Sequence, residues 1–159
     1  MGLDNVIQAR VYLRGFEQTP LVFDICYWRK CWNFRQGVVN EFHLPFDNTN
    51  FTLDYKYFLS SADRFIKVMK SQIKNKIGES IWEPKTVKKI HKGNIRKLRD
   101  VCLLANYSGA AAVVKYLAST CEGDTESIDG YEIKTLAEKS LEAISEDIVK
   151  IEFEFVDSY

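Results

Sequence analysis

Residues 64–99 hold twelve Lys or Arg against two Glu, a net of +10. Cations at that density can neutralise phosphates, and each contact adds affinity and salt dependence. Lys88, Lys89, Lys92, Arg96, Lys97 and Arg99 form the densest run and are the candidate anion- or nucleic-acid-binding residues. Lysine outnumbers arginine nine to three in this stretch, which favours charge attraction over base reading. Arg29 and Lys30 could hold a phosphate-like anion; alternatively, Arg29 could pair with Asp4 and fix the N-terminus. Residues 122–159 carry the opposite sign, twelve acids against three Lys, a net of −9. The formal charge of zero therefore conceals a division by segment, and the acidic segment could lie against the basic one.

Other chemistry has weaker support. The cysteines at 26, 31, 102 and 121 lack the close C-x2-C spacing of zinc sites, and His43 and His91 stand alone. Buried thiols acting as small hydrophobes are expected, with no metal and no cofactor. Glu41, His43 and Asp47 could form an acid–base group, although titratable residues beside a loop are commonplace. Ser108 precedes an apolar helix and reads as a cap. No phosphate-binding glycine loop, H-E-x-x-H or G-x-S-x-G occurs, so no catalytic residue is assigned.

The elements that must position these residues follow from periodicity. Residues 5–13 (NVIQARVYL) alternate as a strand, and 21–24 suggest a short edge strand. Apolar residues at three- and four-residue steps from Ile25 to Phe42 predict a helix, with Trp28 and Trp32 on one packed face. Residues 51–59 alternate as a second strand, and Ser60 or Ser61 caps a basic helix that ends at Gly78. A second basic helix runs from 86 to 106, with a potential break at Gly93-Asn94. A short apolar helix follows from 110 to 121, then an acidic loop over 122–130. One amphipathic helix spans 133–148, and a strand closes the chain. The result is a single α+β domain over 1–159. About five helices pack on a small, mainly antiparallel sheet in which both chain-terminal strands pair centrally. No run approaches the roughly 18–20 apolar residues of a membrane helix, and no secretory signal opens the chain, so a cytoplasmic protein is expected.

Met1-Gly2-Leu3-Asp4 at the start and Tyr27-Trp28-Arg29-Lys30 at the expected helix opening form a signature. A tyrosine-containing strand running into a serine-capped helix, Lys56-Tyr57-Phe58-Leu59-Ser60-Ser61, extends it. This pattern resembles a group of small proteins of tailed bacteriophages and their hosts, in particular early-region proteins of T4-like phages. The basic stretch after residue 80 departs from that group. The resemblance implies a phage gene product acting in the cytoplasm of an infected bacterium. With Asp4, Tyr27, Trp28, Arg29 and Lys30 read as structural, the first expectation is a non-enzymatic accessory protein. It would bind a host macromolecule, most simply a host protein, as a monomer or small homo-oligomer. Two alternatives stay open: a nucleic-acid or nucleotide binder using the 64–99 face, and a small enzyme with an unrecognised site.

Overall fold

Strict alternation makes residues 4–13 a strand with one apolar side, and the structure, a computed structural model, follows it. It describes residues 3–45, 49–78, 82–120 and 133–158. Strand β1 (Asp4–Leu13) buries every second residue, including Ile7, Ala9, Val11 and Leu13. It lies between β2 (Leu21–Arg29) and β4 (Ile148–Ser158), and β3 (Phe51–Asp54) flanks β4. The sheet order is β2-β1-β4-β3, and every pairing is antiparallel. The two chain-terminal strands therefore occupy the centre, as expected.

Strand β2 corrects one expectation. The predicted helix from Ile25 is a continuation of the strand to Arg29, and α1 (Trp32–Phe42) starts later. A register shift against Ile7/Gln8 places two successive residues of β2, Ile25 and Cys26, in the core. Such a bulge inverts the alternation beyond it. Trp28 then points inward, while Tyr27 and Arg29 are exposed. Ile25 and Trp28 share a face at i, i+3, the spacing that reads as helical in sequence. Trp28 is fully buried and stacks on Phe34 at 4.1 Å, whereas Trp32 is 42 % exposed, so the two do not share one packed helical face.

The remaining helices are α2 (Phe58–Lys74), α3 (Pro84–Tyr107), α4 (Ala110–Thr120), α5 (Ile133–Glu138) and α6 (Leu141–Asp147). A 3-10 turn at Tyr55–Tyr57 ends the predicted strand early, and α2 already contains Ser60 and Ser61. Helix α3 runs unbroken through Gly93-Asn94, because its apolar stripe of Val87, Ile95, Leu98 and Val101 stays buried on both sides of the glycine. The single helix expected over 133–148 is divided, since the Ser140 hydroxyl accepts from Ala143 N–H at 3.2 Å and caps a new helix. The acidic loop expected over 122–130 lies outside the described residues.

One apolar core joins the helices to a single face of the sheet. Its aromatic members interlock, with Phe58 stacked on Phe153 at 3.7 Å and Phe65 against Phe155 at 5.6 Å. The opposite sheet face is polar. There Gln8 donates to Asp24 at 3.1 Å, Arg10 pairs with Glu154 at 3.4 Å, and Lys150 pairs with Glu152. Among the described residues, no helix is long and apolar enough to cross a membrane.

Candidate functional site: the cationic face of helices α2 and α3

Helix α3 buries Val87, His91, Asn94, Ile95, Leu98 and Val101 along one side. With about 100° of rotation per residue, Lys85, Lys88, Lys89, Lys92, Arg96 and Arg99 fall within a stripe roughly 100° wide that adjoins the buried side. All six are exposed. From Lys85 to Arg99 the stripe is about 21 Å long at 1.5 Å per residue. Lys97, also exposed, lies off this stripe, so the structure assembles five of the six sequence candidates and adds Lys85.

Two buried side chains fix the rotation of α3 and so aim the stripe outward. The Trp28 indole N–H donates to His91 Nδ1 at 3.3 Å. Indole can only donate, so Nδ1 accepts and the ring proton sits on Nε2. That proton faces Gln72 Oε1 of α2 at 3.0 Å, and Gln72 Nε2 donates to the Asn33 carbonyl of α1 at 2.7 Å. Burial pushes the His91 pKa down to about 4, so the ring is neutral at pH 7. One turn further, the Asn94 side chain pairs with both backbone groups of Tyr27. It accepts the N–H at 3.3 Å and donates to the carbonyl at 2.9 Å. This amide acts as a one-residue extension of the sheet along the edge strand β2. The sequence shows His91 only as a lone histidine and Asn94 only beside a potential helix break, and Gln72 carries no motif. The available signal was their polar character on the apolar stripes of two helices.

The tetrapeptide at 27–30 is held by contacts within the fold. Tyr27 Oη donates to Asp4 Oδ1 at 3.0 Å across the β1–β2 ladder. Asp4 and Arg29 are register partners, but the expected Asp4–Arg29 ion pair does not form. Instead, the hydroxyl of Tyr27, two residues before Arg29 on the same strand, meets the carboxylate. Arg29 offers its carbonyl to the Trp82 indole N–H at 3.0 Å. Lys30 adopts φ +57° where the chain turns into α1.

The acidic segment does not mask the stripe among the described residues. Asp157 pairs with Arg35 at 2.6 Å, Asp147 with Lys139 at 2.7 Å, Glu154 with Arg10, and Glu152 with Lys150. Among the described residues of 64–99, the ion pairs are those of Arg64 and Lys67, each 3.4 Å from Glu41. Burial alone would raise the Glu41 pKa, but hydrogen bonds from Lys67 and Arg64 outweigh it and hold the carboxyl below its usual range. Glu41 therefore pairs with these two cations. His43 is exposed at φ +54° as the C-cap of α1, and Asp47 lies outside the described residues.

Where the stripe reaches the C-terminal end of α3, a cleft of about 700 Å³ opens between α3 and the start of α2. Ile66 and Cys102 belong to its lining, with Lys67, Lys70 and Arg99 as cations and Leu59, Leu103 and Tyr107 as exposed apolar surface. The Cys102 thiol is pushed up to about 11 by burial and by Asp63, so it is no thiolate nucleophile at pH 7. Cys26 and Cys31 are buried, with thiols facing the carbonyls of Asn94 and Arg29; Cys121 lies outside the described residues. No cluster of His, Cys, Asp or Glu suited to a metal ion occurs among the described residues.

No curated protein matches this chain, and no solved structure matches it. Residues 16–95 match the family described as Beta-1,4-N-acetylgalactosaminyltransferase (CgtA). The matched span runs from the β1–β2 turn into the first half of α3. It takes in Trp28, Asn33, Gln72, His91 and Asn94, which together lock the stripe in place. Since the span covers half of its length, the chain belongs to the CgtA family.

Proposed function

We propose that this protein binds nucleic acid through the cationic stripe of α3, as a non-enzymatic accessory protein acting on a macromolecule of an infected bacterial cell. One observation carries the reading. Six exposed cations lie in a single row about 21 Å long, and no described acid forms an ion pair with them. A row of that kind tracks a phosphate backbone, and its lysine-rich composition suits sequence-independent attraction. A host protein as partner has the sequence resemblance as its support, whereas the geometry of the stripe favours nucleic acid.

The test is retention on a nucleic-acid column. Replacing Lys88, Lys89, Arg96 and Arg99 together with Glu is expected to abolish retention. All four are exposed, so the fold should survive the exchange. Unchanged retention of that variant, or no retention of the native chain, overturns the reading.

The family description supports a second reading, glycosyl transfer. Lys67, Lys70 and Arg99 beside the 700 Å³ cleft could hold the phosphates of a nucleotide-sugar donor. Against it, the described sheet is antiparallel throughout and offers no parallel-strand crevice for a nucleotide. Sugar transfer from such a donor to a sugar acceptor, lost on Arg99→Ala, would decide for this reading.

A further inference from the structure

The stripe and the cleft meet at Arg99, which belongs to both. Resting on the nucleic-acid reading above, we propose that the ligand is single-stranded. Its backbone follows the α3 stripe, and an unpaired base enters the α2/α3 cleft against Tyr107 and Leu103.

Three features of the cleft point to a base with its phosphate. Its apolar surface is displayed rather than packed, since Tyr107 is 79 % exposed, Leu103 is 56 % exposed, and Leu59 joins them. A phenol ring and two leucines at the mouth of a cleft suit a flat aromatic ligand, because every base has a face that stacks on an aromatic side chain. Lys67, Lys70 and Arg99 surround that surface with positive charge, which suits the phosphates on either side of a nucleotide. The Asp63 carboxylate and the Asn106 amide also line the cleft and can accept from and donate to a base edge. A duplex keeps its bases stacked inside the helix, so it could use the stripe but not the cleft. Single strands expose the faces and edges that the cleft is equipped to take.

The experiment is fluorescence anisotropy with the full chain, using a labelled single strand of about 12 nucleotides and a duplex of the same length. Two variants, Tyr107→Ala and Leu103→Ala, alter exposed side chains and should leave the fold intact, which circular dichroism can verify. The native chain is expected to bind the single strand several-fold more tightly than the duplex at equal salt. Tyr107→Ala should weaken single-strand binding roughly tenfold, the range expected for one stacked base, and leave duplex binding unchanged. Equal affinity for both ligands, or a single-strand affinity insensitive to both variants, overturns the inference. So does tighter binding of poly-glutamate than of the single strand at equal charge and salt, if Tyr107→Ala weakens it, which would assign the cleft to an acidic polypeptide. If the four-fold charge reversal abolishes binding while Tyr107→Ala changes nothing, the single-strand inference falls alone. Should the charge reversal change nothing, the functional reading falls as well.

Discussion

The Trp28 indole N–H donates to Nδ1 of His91, which leaves the single imidazole proton on Nε2 facing Gln72. This bond ties the edge strand to α3, and the same ring ties α3 to α2. Strand β2 and helices α1, α2 and α3 thus hang on one chain of polar contacts inside an apolar core. A cationic stripe on α3 has a fixed direction only because this chain resists rotation of the helix.

His91 is held neutral with a pKa of about 4, against 6.5 for the free side chain. Between those values the unfolded chain binds a proton that the folded chain does not. Stability is therefore full above about pH 6.5, falls as the pH drops towards 4, and loses at most about 3 kcal/mol in that window. Urea midpoints recorded from pH 7.5 to 5 should show the decline. His91→Leu should be flat over pH 6.5–5, yet less stable at pH 7 by ~1–3 kcal/mol, because Trp28 and Gln72 lose their partner. A native profile with no slope would remove the buried neutral imidazole from the account.

Asn94 completes the backbone pairing of Tyr27 from a helix. Asn94→Leu keeps the volume but leaves an N–H and a carbonyl without partners, at about 1–3 kcal/mol for each group left unsatisfied. Thermal unfolding should detect the loss. Amide exchange at Tyr27 should accelerate more than at Phe23, which retains its ladder with Ala9.

Gly37 allows α1 to approach α2. A Cβ at this position would lie 2.6 Å from Val68 Cγ1 and 3.1 Å from Gln72 Nε2. Valine is stiff at χ1, so Gly37→Ala should destabilise by ~1–3 kcal/mol despite its better helix propensity. The displaced Gln72 should also broaden the His91 ring signals in an NMR spectrum. A stabilised variant would mean that the two helices separate readily.

Asp157 gathers three partners near the end of the chain: Arg35 Nε at 2.6 Å, Asn5 Nδ2 at 3.1 Å, and the Thr49 hydroxyl. The Arg35 and Asp157 side chains are only 8 % and 4 % exposed. Removing one charge strands the other, so Arg35→Met should cost ~3–5 kcal/mol. The double variant Arg35→Met with Asp157→Leu should recover part of that loss in a chemical denaturation cycle.

Binding through the stripe has a salt signature. If about six phosphates are neutralised, log K against log salt should have a slope near −4 for a single strand, at ~0.7 per contact. Lys92→Ala should reduce that slope by about 0.7. A slope near zero would indicate contacts of another kind.

Much of the architecture was legible before any coordinates. Alternation in residues 5–13 and around Phe153 and Phe155 announced the two terminal strands. The lysine spacing on two amphipathic helices announced a cationic face, but not whether it meets solvent or the acidic C-terminal segment. Three decisions needed the tertiary structure. The bulge at Ile25-Cys26 is set by pairing with β1, so the sequence shows only the i, i+3 spacing that it produces. The rotation of α3 depends on Trp28 and Gln72, which lie 63 and 19 positions away from His91. Four C-terminal acids, Asp147, Glu152, Glu154 and Asp157, pair with Lys139, Lys150, Arg10 and Arg35, so that among the described residues no C-terminal acid pairs with the stripe. Charges are additive along a chain, but which opposite charges meet is decided by distance, and distance is set by the fold.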